Sequence, residues 1–182
     1  MAAPIPTARL ELVALVPELI AAILGGTAGS VGLQVPGGWP DEHDAGFLRT
    51  RHTQMLADRS LAQWVRGVVL AGDGPLRTLA GHAGFHGPPG VNGSDAADAL
   101  EVGYTIFPAY RGQGYATEAV AALIDWAGRE HGVQRFFASV APDNAPSLAV
   151  VARLGFRHVG EQWDDEDGLE LVYERGGAGS DA

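Results

Sequence analysis

The sequence predicts one α/β domain built around a mixed β-sheet, and three observations favour this fold class. Segments with the apolar alternation of strands are interspersed with helical segments along the chain. Apolar residues make up 46% of the 182 residues, which suits one domain with a sizeable core. The chain has no internal repeat, so we expect a single domain over residues 1–175, followed by a flexible tail over residues 176–182.

The elements of the N-terminal half are predicted from apolar alternation and from the positions of glycine and proline. In order, we expect a strand at 10–14, a short helix from Pro17 to Gly25, an irregular loop to residue 42, a helix from about 44 to 56, and strands at 64–71 and 76–86. The segment Gly72-Asp73-Gly74-Pro75 between these two strands has hairpin chemistry. Residues 87–98 are expected to form an exposed loop.

The C-terminal half contains the clearest helix. Its apolar residues recur at the spacing of one helical face, and they are Ala116, Ala119, Val120, Leu123, Ile124 and Ala127. We expect this helix to end at Gly132. The remaining elements are a fourth strand at 100–107, a fifth strand at 133–140, a helix at 145–153, and a final hairpin of strands at 156–162 and 169–175. The sheet therefore has about seven strands.

The chain contains no cysteine, and its twelve basic residues are all arginine. The lack of cysteine excludes a disulfide scaffold, a cysteine zinc site, a thiolate nucleophile and an iron–sulfur cluster. The lack of lysine excludes a Walker-type phosphate loop and a Schiff base. We attribute the missing lysine to coding bias and not to mechanism.

The formal net charge of −10 argues against a nucleic-acid partner, because such proteins need a basic surface. An acidic surface attracts cations and would steer an amine substrate, although maintaining solubility is the simpler explanation. No basic segment precedes an apolar run near the N-terminus, so we expect no secretory signal. The most apolar stretches are broken by charge or rich in glycine, so we expect no membrane span and a cytoplasmic protein.

A glycine-rich segment, Arg111-Gly112-Gln113-Gly114-Tyr115-Ala116, joins the fourth strand to the clearest helix. Gly112 and Gly114 allow the backbone to approach a ligand closely. Free N–H groups and the positive end of the helix dipole then bind phosphate without lysine. Arg111 and Thr117 are candidate side-chain donors. Taken alone, the segment is better explained as a tight turn without a ligand.

The loop and its flanks resemble the GNAT acetyltransferases. The family's pyrophosphate loop is written R/Q-x-x-G-x-G/A, and Arg111, Gly114 and Ala116 match it. Further matching segments are Glu101-Val102-Gly103-Tyr104, Pro108, Tyr110, Thr117-Glu118-Ala119, Asn144-Ala145-Pro146-Ser147 and Leu154-Gly155-Phe156. This series is typical of the branch represented by the ribosomal-protein N-terminal acetyltransferases, and it covers residues 101–160.

The resemblance implies a strongly twisted mixed sheet whose fourth and fifth strands splay apart, with acetyl-CoA bound in the gap. It implies acetyl-CoA as cosubstrate and no metal. The residues that the resemblance assigns to acetyl-CoA are Tyr104, Thr105, Ile106, Arg111, Gly112, Gln113, Gly114, Tyr115, Ala116, Thr117 and Asn144. A backbone N–H between Tyr104 and Ile106 is expected to polarise the thioester carbonyl.

Glu101 is the candidate general base. Similar family members use a glutamate at this point, often through a water molecule. An ordinary solvated strand carboxylate is an equally good explanation of this residue. His86 is the alternative base, because an imidazole gains and loses a proton near neutral pH.

Ser147 is the candidate proton donor to the leaving thiolate. Many GNAT enzymes use a tyrosine on the helix after the fifth strand, but this chain has none between Tyr115 and Tyr173. The branch that this chain resembles uses serine here. The competing explanation makes Asn144 a helix N-cap and Ser147 an ordinary first-turn residue, and Asn144 can serve both purposes.

Two other clusters of chemically active side chains have simpler explanations. His82 and His86 share a face of one predicted strand, but four residues span about 13 Å, too far for one metal ion. The acidic segment 164–167 lacks the ligand spacing of a calcium loop and is explained as a solvated turn. In GNAT folds the final hairpin can border the acceptor entrance, so this segment is also a candidate for attracting cationic substrates.

These features predict an acetyl-CoA-dependent N-acetyltransferase that acts by direct attack of a primary amine in a ternary complex. A protein N-terminus and a small-molecule amine both remain open as acceptors. The alternative is a non-catalytic acyl-CoA sensor, which the presence of Glu101, Asn144 and Ser147 disfavours. Acetylation of aminoacyl-tRNA conflicts with the net charge. Homodimer formation is left open.

Overall fold

The computed structural model describes residues 3–72, 76–93, 96–165 and 168–176. The predicted turn at 73–75 and the predicted tail after residue 176 lie outside this range. Contacts within the chain define two compact units. The first comprises residues 1–83 and 105–115, and the second comprises residues 84–104 and 116–182. The prediction of a single domain over residues 1–175 stays a prediction.

The chain forms nine strands and four helices within the described residues. In the N-terminal part these are β1 (Ile5–Pro6), β2 (Leu10–Ala14), α1 (Pro17–Leu24), β3 (Leu33–Gln34), α2 (Glu42–Ala57), β4 (Val65–Leu70) and β5 (Arg77–Phe85). They are followed by β6 (Ala99–Ile106), α3 (Tyr115–His131), β7 (Arg135–Val140), α4 (Ala145–Arg153), β8 (Arg157–Asp164) and β9 (Gly168–Gly176). All seven predicted strands and all four predicted helices are present. The two additional strands, β1 and β3, have two residues each.

In the first unit the strands follow the order β1-β2-β4-β5, and β3 pairs with β5 in parallel. The pairs β1–β2 and β2–β4 are antiparallel. Pro17 occupies the first turn of α1, where its missing N–H costs nothing. Asp41 caps α2 by accepting a hydrogen bond from the N–H of Asp44 at 2.9 Å. Both helices contribute to the core, whose buried members are Leu15, Ile20, Ile23, Ala28, Leu33, Leu48, Met55, Ala62, Val65, Val69, Leu79 and Phe107.

In the second unit the order is β6-β7-β9-β8, with β6 and β7 parallel and the other pairs antiparallel. Parallel and antiparallel pairs therefore occur together, as the predicted mixed sheet requires. The apolar stripe of α3 is confirmed, because five of its predicted members, Ala119, Val120, Leu123, Ile124 and Ala127, are buried. The helix ends before Gly132, which has a φ of 67°.

The strands β6 and β7 separate partway along their length. Their register pairs residues 99–101 with residues 135–137 and includes no later pair of described residues. Both strands continue beyond this point, and β7 pairs with β9 on its other side along residues 135–140. The fourth and fifth strands of the prediction therefore part after three residue pairs. This leaves the backbone of β6 beyond Glu101 without β7 as a neighbour.

Helix length and hydropathy also bear on membrane insertion. Within the described part of the chain, none of the helices is both long and apolar enough to cross a bilayer.

Candidate active site

The glycine-rich segment follows β6 as a short loop, and its conformation requires glycine at two positions. Gly112 and Gly114 have φ values of 74° and 79°, which residues with a side chain rarely adopt. A Cβ at Gly112 would meet nothing within 4 Å, so the space above it is open. Arg111 donates from Nε to the carbonyl of Ile106 at 2.8 Å and so folds the loop back onto the end of β6.

Helix α3 begins directly after this loop, at Tyr115. Its first-turn N–H groups lack partners within the helix and carry the positive end of its dipole. Ala116 and Thr117 lie half-buried in this turn. The Thr117 hydroxyl is buried and makes no hydrogen bond to any described group. An open glycine loop, a helix N-terminus and an unsatisfied hydroxyl together fit a diphosphate, whose oxygens accept hydrogen bonds.

Arg9, which the sequence did not single out, lies against this loop. Its Nη1 donates to the carbonyl of Gln113 at 2.9 Å. Its guanidinium lies 4.8 Å from the centre of the Tyr115 ring, within the range of a cation–π contact. Arg9 and Gln113 are 104 residues apart in sequence. No local pattern could therefore have revealed the contact.

Glu101 lies at the last residue of β6 that pairs with β7, and its carboxylate is enclosed. The side chain is only 3% exposed, so the alternative of a solvated carboxylate is wrong. One oxygen accepts from the hydroxyl of Ser139 and the other from the N–H of Gly93, each at 2.6 Å. The Ser139 hydroxyl in turn accepts from Gln162, which also donates to Glu170 at 2.9 Å. Sequence reasoning missed these partners, which come from a loop and three other strands.

The loop after β5 is shaped to bring Gly93 to this carboxylate. The Asn92 side chain donates to the carbonyls of Ala96 and Ala99 and accepts from the N–H of Ala96. These bonds connect Asn92 to the residues at the start of β6. A Cβ at Gly93 would lie 2.6 Å from the amide oxygen of Gln162, so a side chain there would require the Gln162 amide to move.

His86 is the exposed neighbour of the enclosed carboxylate. Its side chain is 48% exposed, and its Nδ1 lies 3.6 Å from a carboxylate oxygen of Glu101. The backbone N–H of His86 donates to the carbonyl of Glu101 at 2.9 Å. A Cβ at Gly103 would lie 3.3 Å from Nε2, so the imidazole extends over that glycine. The imidazole ring therefore lies close to both the buried carboxylate of Glu101 and the backbone of Gly103.

His82 is committed to packing and not to this cluster. Its ring stacks on Phe47 with centroids 5.2 Å apart, and its Nε2 lies 3.8 Å from a carboxylate oxygen of Asp44. The proximity of the His82 imidazole lowers the pKa of Asp44. The described residues include no group of three side chains suited to a metal ion.

Tyr104 and Ser147 are brought together by β6 and α4. The Tyr104 hydroxyl donates to the backbone carbonyl of Ser147 at 3.3 Å, and burial raises the pKa of Tyr104. Asn144 caps α4 by accepting from the N–H of Ser147 at 3.2 Å, as the competing explanation of Asn144 predicted. Neither bond uses the hydroxyl of Ser147.

The last two predicted coenzyme contacts, Thr105 and Ile106, lie at the end of β6. Thr105 is half-buried and Ile106 is buried. Their predicted contribution is through the backbone, and the carbonyl of Ile106 already accepts from Arg111. The roles of all the predicted site residues stay predictions.

Comparison with known proteins agrees with this architecture. The profile of the acetyltransferase (GNAT) domain family matches residues 9–157, which is more than half of the chain. The uncharacterized N-acetyltransferase YnaD of Bacillus subtilis is 32% identical over 75 residues, or 36% of this chain and 44% of that protein. The chain thus aligns with less than half the length of this relative.

Two solved structures illustrate the shared fold. A GNAT-family acetyltransferase from Bordetella pertussis has a TM-score of 0.67 and 25% identity, with 96% of this chain and 99% of that chain covered. RimL, a ribosomal L7/L12 alpha-N-protein acetyltransferase solved with coenzyme A, has a TM-score of 0.63 and 19% identity, with 96% and 98% covered. The domain match, the parting of β6 from β7 and the glycine loop before α3 agree, and this chain belongs to the GNAT acetyltransferase family.

Proposed function

We propose that this protein transfers the acetyl group of acetyl-CoA to the nitrogen of a primary amine, by direct attack while both substrates are bound. The observation that carries the proposal is the loop at 111–114, with two glycines at positive φ ahead of α3. The end of β6, from Tyr104 to Ile106, is proposed to pair with the pantetheine arm. A protein N-terminus or a small-molecule amine is the acceptor.

When bound, acetyl-CoA supplies the acetyl group as a thioester with a thiolate leaving group. An N–C bond forms and a C–S bond breaks, so the protein has two proton movements to manage. An alkyl ammonium group, with a pKa of about 10, must lose a proton before its nitrogen can attack. The nitrogen gives up a second proton once the N–C bond has formed, and the sulfur must gain one as it leaves, so these last two transfers offset each other. No covalent enzyme intermediate is needed, and the chain has no cysteine to form one.

We assign the first proton movement to His86 and Glu101 acting together. Glu101 is nearly fully buried and each of its oxygens accepts a hydrogen bond, whereas His86 is half exposed. The exposed imidazole is the group that an ammonium can approach, so we propose His86 Nε2 as the proton acceptor. Glu101 is then a positioning residue that supports the charge formed on the ring. The 3.6 Å separation of the two side chains is longer than a hydrogen bond, and we expect it to shorten with substrates bound.

The second proton movement is assigned to the Ser147 hydroxyl, which passes a proton to the departing sulfur and regains one from solvent. The support for this role is that the hydroxyl is not needed for the helix cap. The loop residues Arg111 and Gln113 and the first turn of α3 are proposed to hold the diphosphate. The acidic surface of the chain, with a net charge of −10, favours a cationic acceptor.

Acetyl-CoA binding is tested by thermal unfolding. At 100 times its dissociation constant, the ligand should stabilise the protein by about 2.7 kcal/mol, which raises Tm by several degrees. The measurement is a thermal shift with acetyl-CoA, and acetate at the same concentration is the control. An unchanged Tm at saturating acetyl-CoA would count against the proposed function.

Catalysis is tested by the release of coenzyme A from acetyl-CoA in the presence of a panel of amines and peptides. Because the chain has no cysteine, a thiol reagent reports released coenzyme A alone. We expect release that depends on the amine, and mass spectrometry should find the acetylated product. Binding without release for any amine would favour the sensor alternative.

Ser147→Ala is expected to lower kcat by about 10²–10⁴-fold while leaving the dissociation constant of acetyl-CoA nearly unchanged. The fold should persist, because Asn144 and Tyr104 bond to the backbone of Ser147 and not to its hydroxyl. The measurement is steady-state turnover beside a binding titration. Wild-type turnover in this variant would remove Ser147 from the mechanism.

A further inference from the structure

Arg9 is held in a defined position at the start of β2. The hydroxyl of Thr7 accepts from the N–H of Leu10 at 2.9 Å, and the carbonyl of Arg9 accepts from the N–H of Ala71 at 2.9 Å. The backbone next to Arg9 is thus held by a local turn and by a bond to the chain just after β4. Its side chain runs to the Gln113 carbonyl and to the ring of Tyr115.

The bond to the Gln113 carbonyl determines where the next N–H points. A trans peptide is planar, and its C=O and N–H point in opposite directions. Because the carbonyl of the Gln113–Gly114 peptide accepts a hydrogen bond from Arg9, the N–H of Gly114 is directed away from Arg9. If this peptide were flipped, its carbonyl oxygen would point towards the proposed diphosphate, which needs a hydrogen-bond donor and not an acceptor.

Glycine makes this peptide easy to reorient, so an external bond is needed to hold it. Gly114 has a φ of 79° and can adopt either sign of φ at similar cost. A Cβ at this residue would lie 3.5 Å from Nη2 of Arg9, so the guanidinium lies directly against the backbone. The positive charge of the guanidinium adds to that of the α3 N-terminus.

We infer that Arg9 is a positioning residue for the coenzyme diphosphate, which holds the Gln113–Gly114 peptide with its N–H available and places a positive charge behind the loop. The inference rests on the proposed function, because it takes the loop as the diphosphate site. It has a consequence for donor choice: Arg9 favours acyl donors that carry the diphosphate over thioesters of pantetheine alone.

The test compares two ligands and three variants by isothermal titration. Coenzyme A carries the diphosphate and pantetheine lacks it. Arg9→Met should weaken coenzyme A binding by about 10–100-fold, the effect of losing one charge-assisted hydrogen bond, and should leave pantetheine binding unchanged. Arg9→Lys keeps the charge and a donor, so it should recover part of the affinity.

Arg129→Met is the matched control, because Arg129 also donates from an exposed side chain to a backbone carbonyl, that of Asp125 at 3.3 Å. It should bind both ligands as the wild type does. A second measurement needs no ligand. In the free protein, Arg9→Met should increase the NMR-detected mobility of the Gly114 amide and leave that of Gly132 unchanged.

The outcomes separate the inference from the proposed function. Coenzyme A affinity equal to the wild type in Arg9→Met overturns the inference and leaves the proposed function standing. Equal losses for coenzyme A and pantetheine also overturn it, because Arg9 would then support the fold in general. A wild-type protein that binds neither ligand would overturn the proposed function and the inference together.

Discussion

Gly114→Val is expected to abolish acetyl-CoA binding while leaving a folded protein. Gly114 has a φ of 79°, and a β-branched residue is rarely found in this region of backbone space. The side chain would also crowd the guanidinium of Arg9, because a Cβ at this residue would lie 3.5 Å from its Nη2. We expect the dissociation constant to rise by more than about 100-fold, the equivalent of about 2.7 kcal/mol. Isothermal titration with acetyl-CoA measures it.

The control must carry the same backbone strain outside the loop, and Gly132→Val does so. Gly132 has a φ of 67° at the end of α3, and a Cβ there would meet nothing within 4 Å. Both variants should lose about 1–3 kcal/mol of stability from strain. Only Gly114→Val should lose the ligand. If both variants bind acetyl-CoA as the wild type does, the loop is not the diphosphate site.

The two loop glycines show what a sequence can predict about a site. The need for a residue without a side chain between a strand and a helix is a local property, and the positive φ values confirm it. The apolar stripe of α3 is equally local, because residues three and four apart face the same side. The two-residue strands β1 and β3 were missed, because two residues carry no measurable alternation.

The environment of Glu101 shows what could not be predicted. Strand alternation correctly separated this residue from Leu100 and Val102, but alternation says nothing about what covers the second face of a sheet. Here the loop at residue 93 and the side chain of Ser139 cover it. These partners are 8 and 38 residues away, and no spacing rule relates them to Glu101. The contact of Arg9 with the glycine loop could not be predicted for the same reason.

Replacing His86 is the sharpest test of the proposed proton transfer. His86→Ala should lower kcat by about 10²–10⁴-fold, the usual effect of losing a positioned general base, with acetyl-CoA affinity nearly unchanged. The side chain is 48% exposed, so added imidazole can reach the vacated space. Imidazole should therefore restore part of the turnover. His158→Gln, a change at another exposed histidine, is the control and should have wild-type kcat.

Glu101→Gln separates the positioning residue from the proton acceptor. Glutamine retains the shape and one acceptor oxygen, which can still accept from the N–H of Gly93, while the Ser139 hydroxyl can rotate to accept from the new amide. The fold should therefore survive, and Tm checks this. Turnover should fall relative to the wild type. The remaining turnover should increase as the pH is raised, because more of the amine is then already deprotonated. Imidazole should not restore it, because the ring of His86 is still present.

The pair of variants distinguishes the two candidate bases. If Glu101 took the proton itself, His86→Ala would keep full turnover and Glu101→Gln alone would be impaired. If His86 takes it with support from the buried carboxylate, both variants are impaired and only the alanine variant responds to imidazole. A double variant sharpens the comparison. If both side chains act on one proton, the double variant should lose about as much turnover as His86→Ala alone. If their roles are independent, the two fold-losses in turnover should multiply.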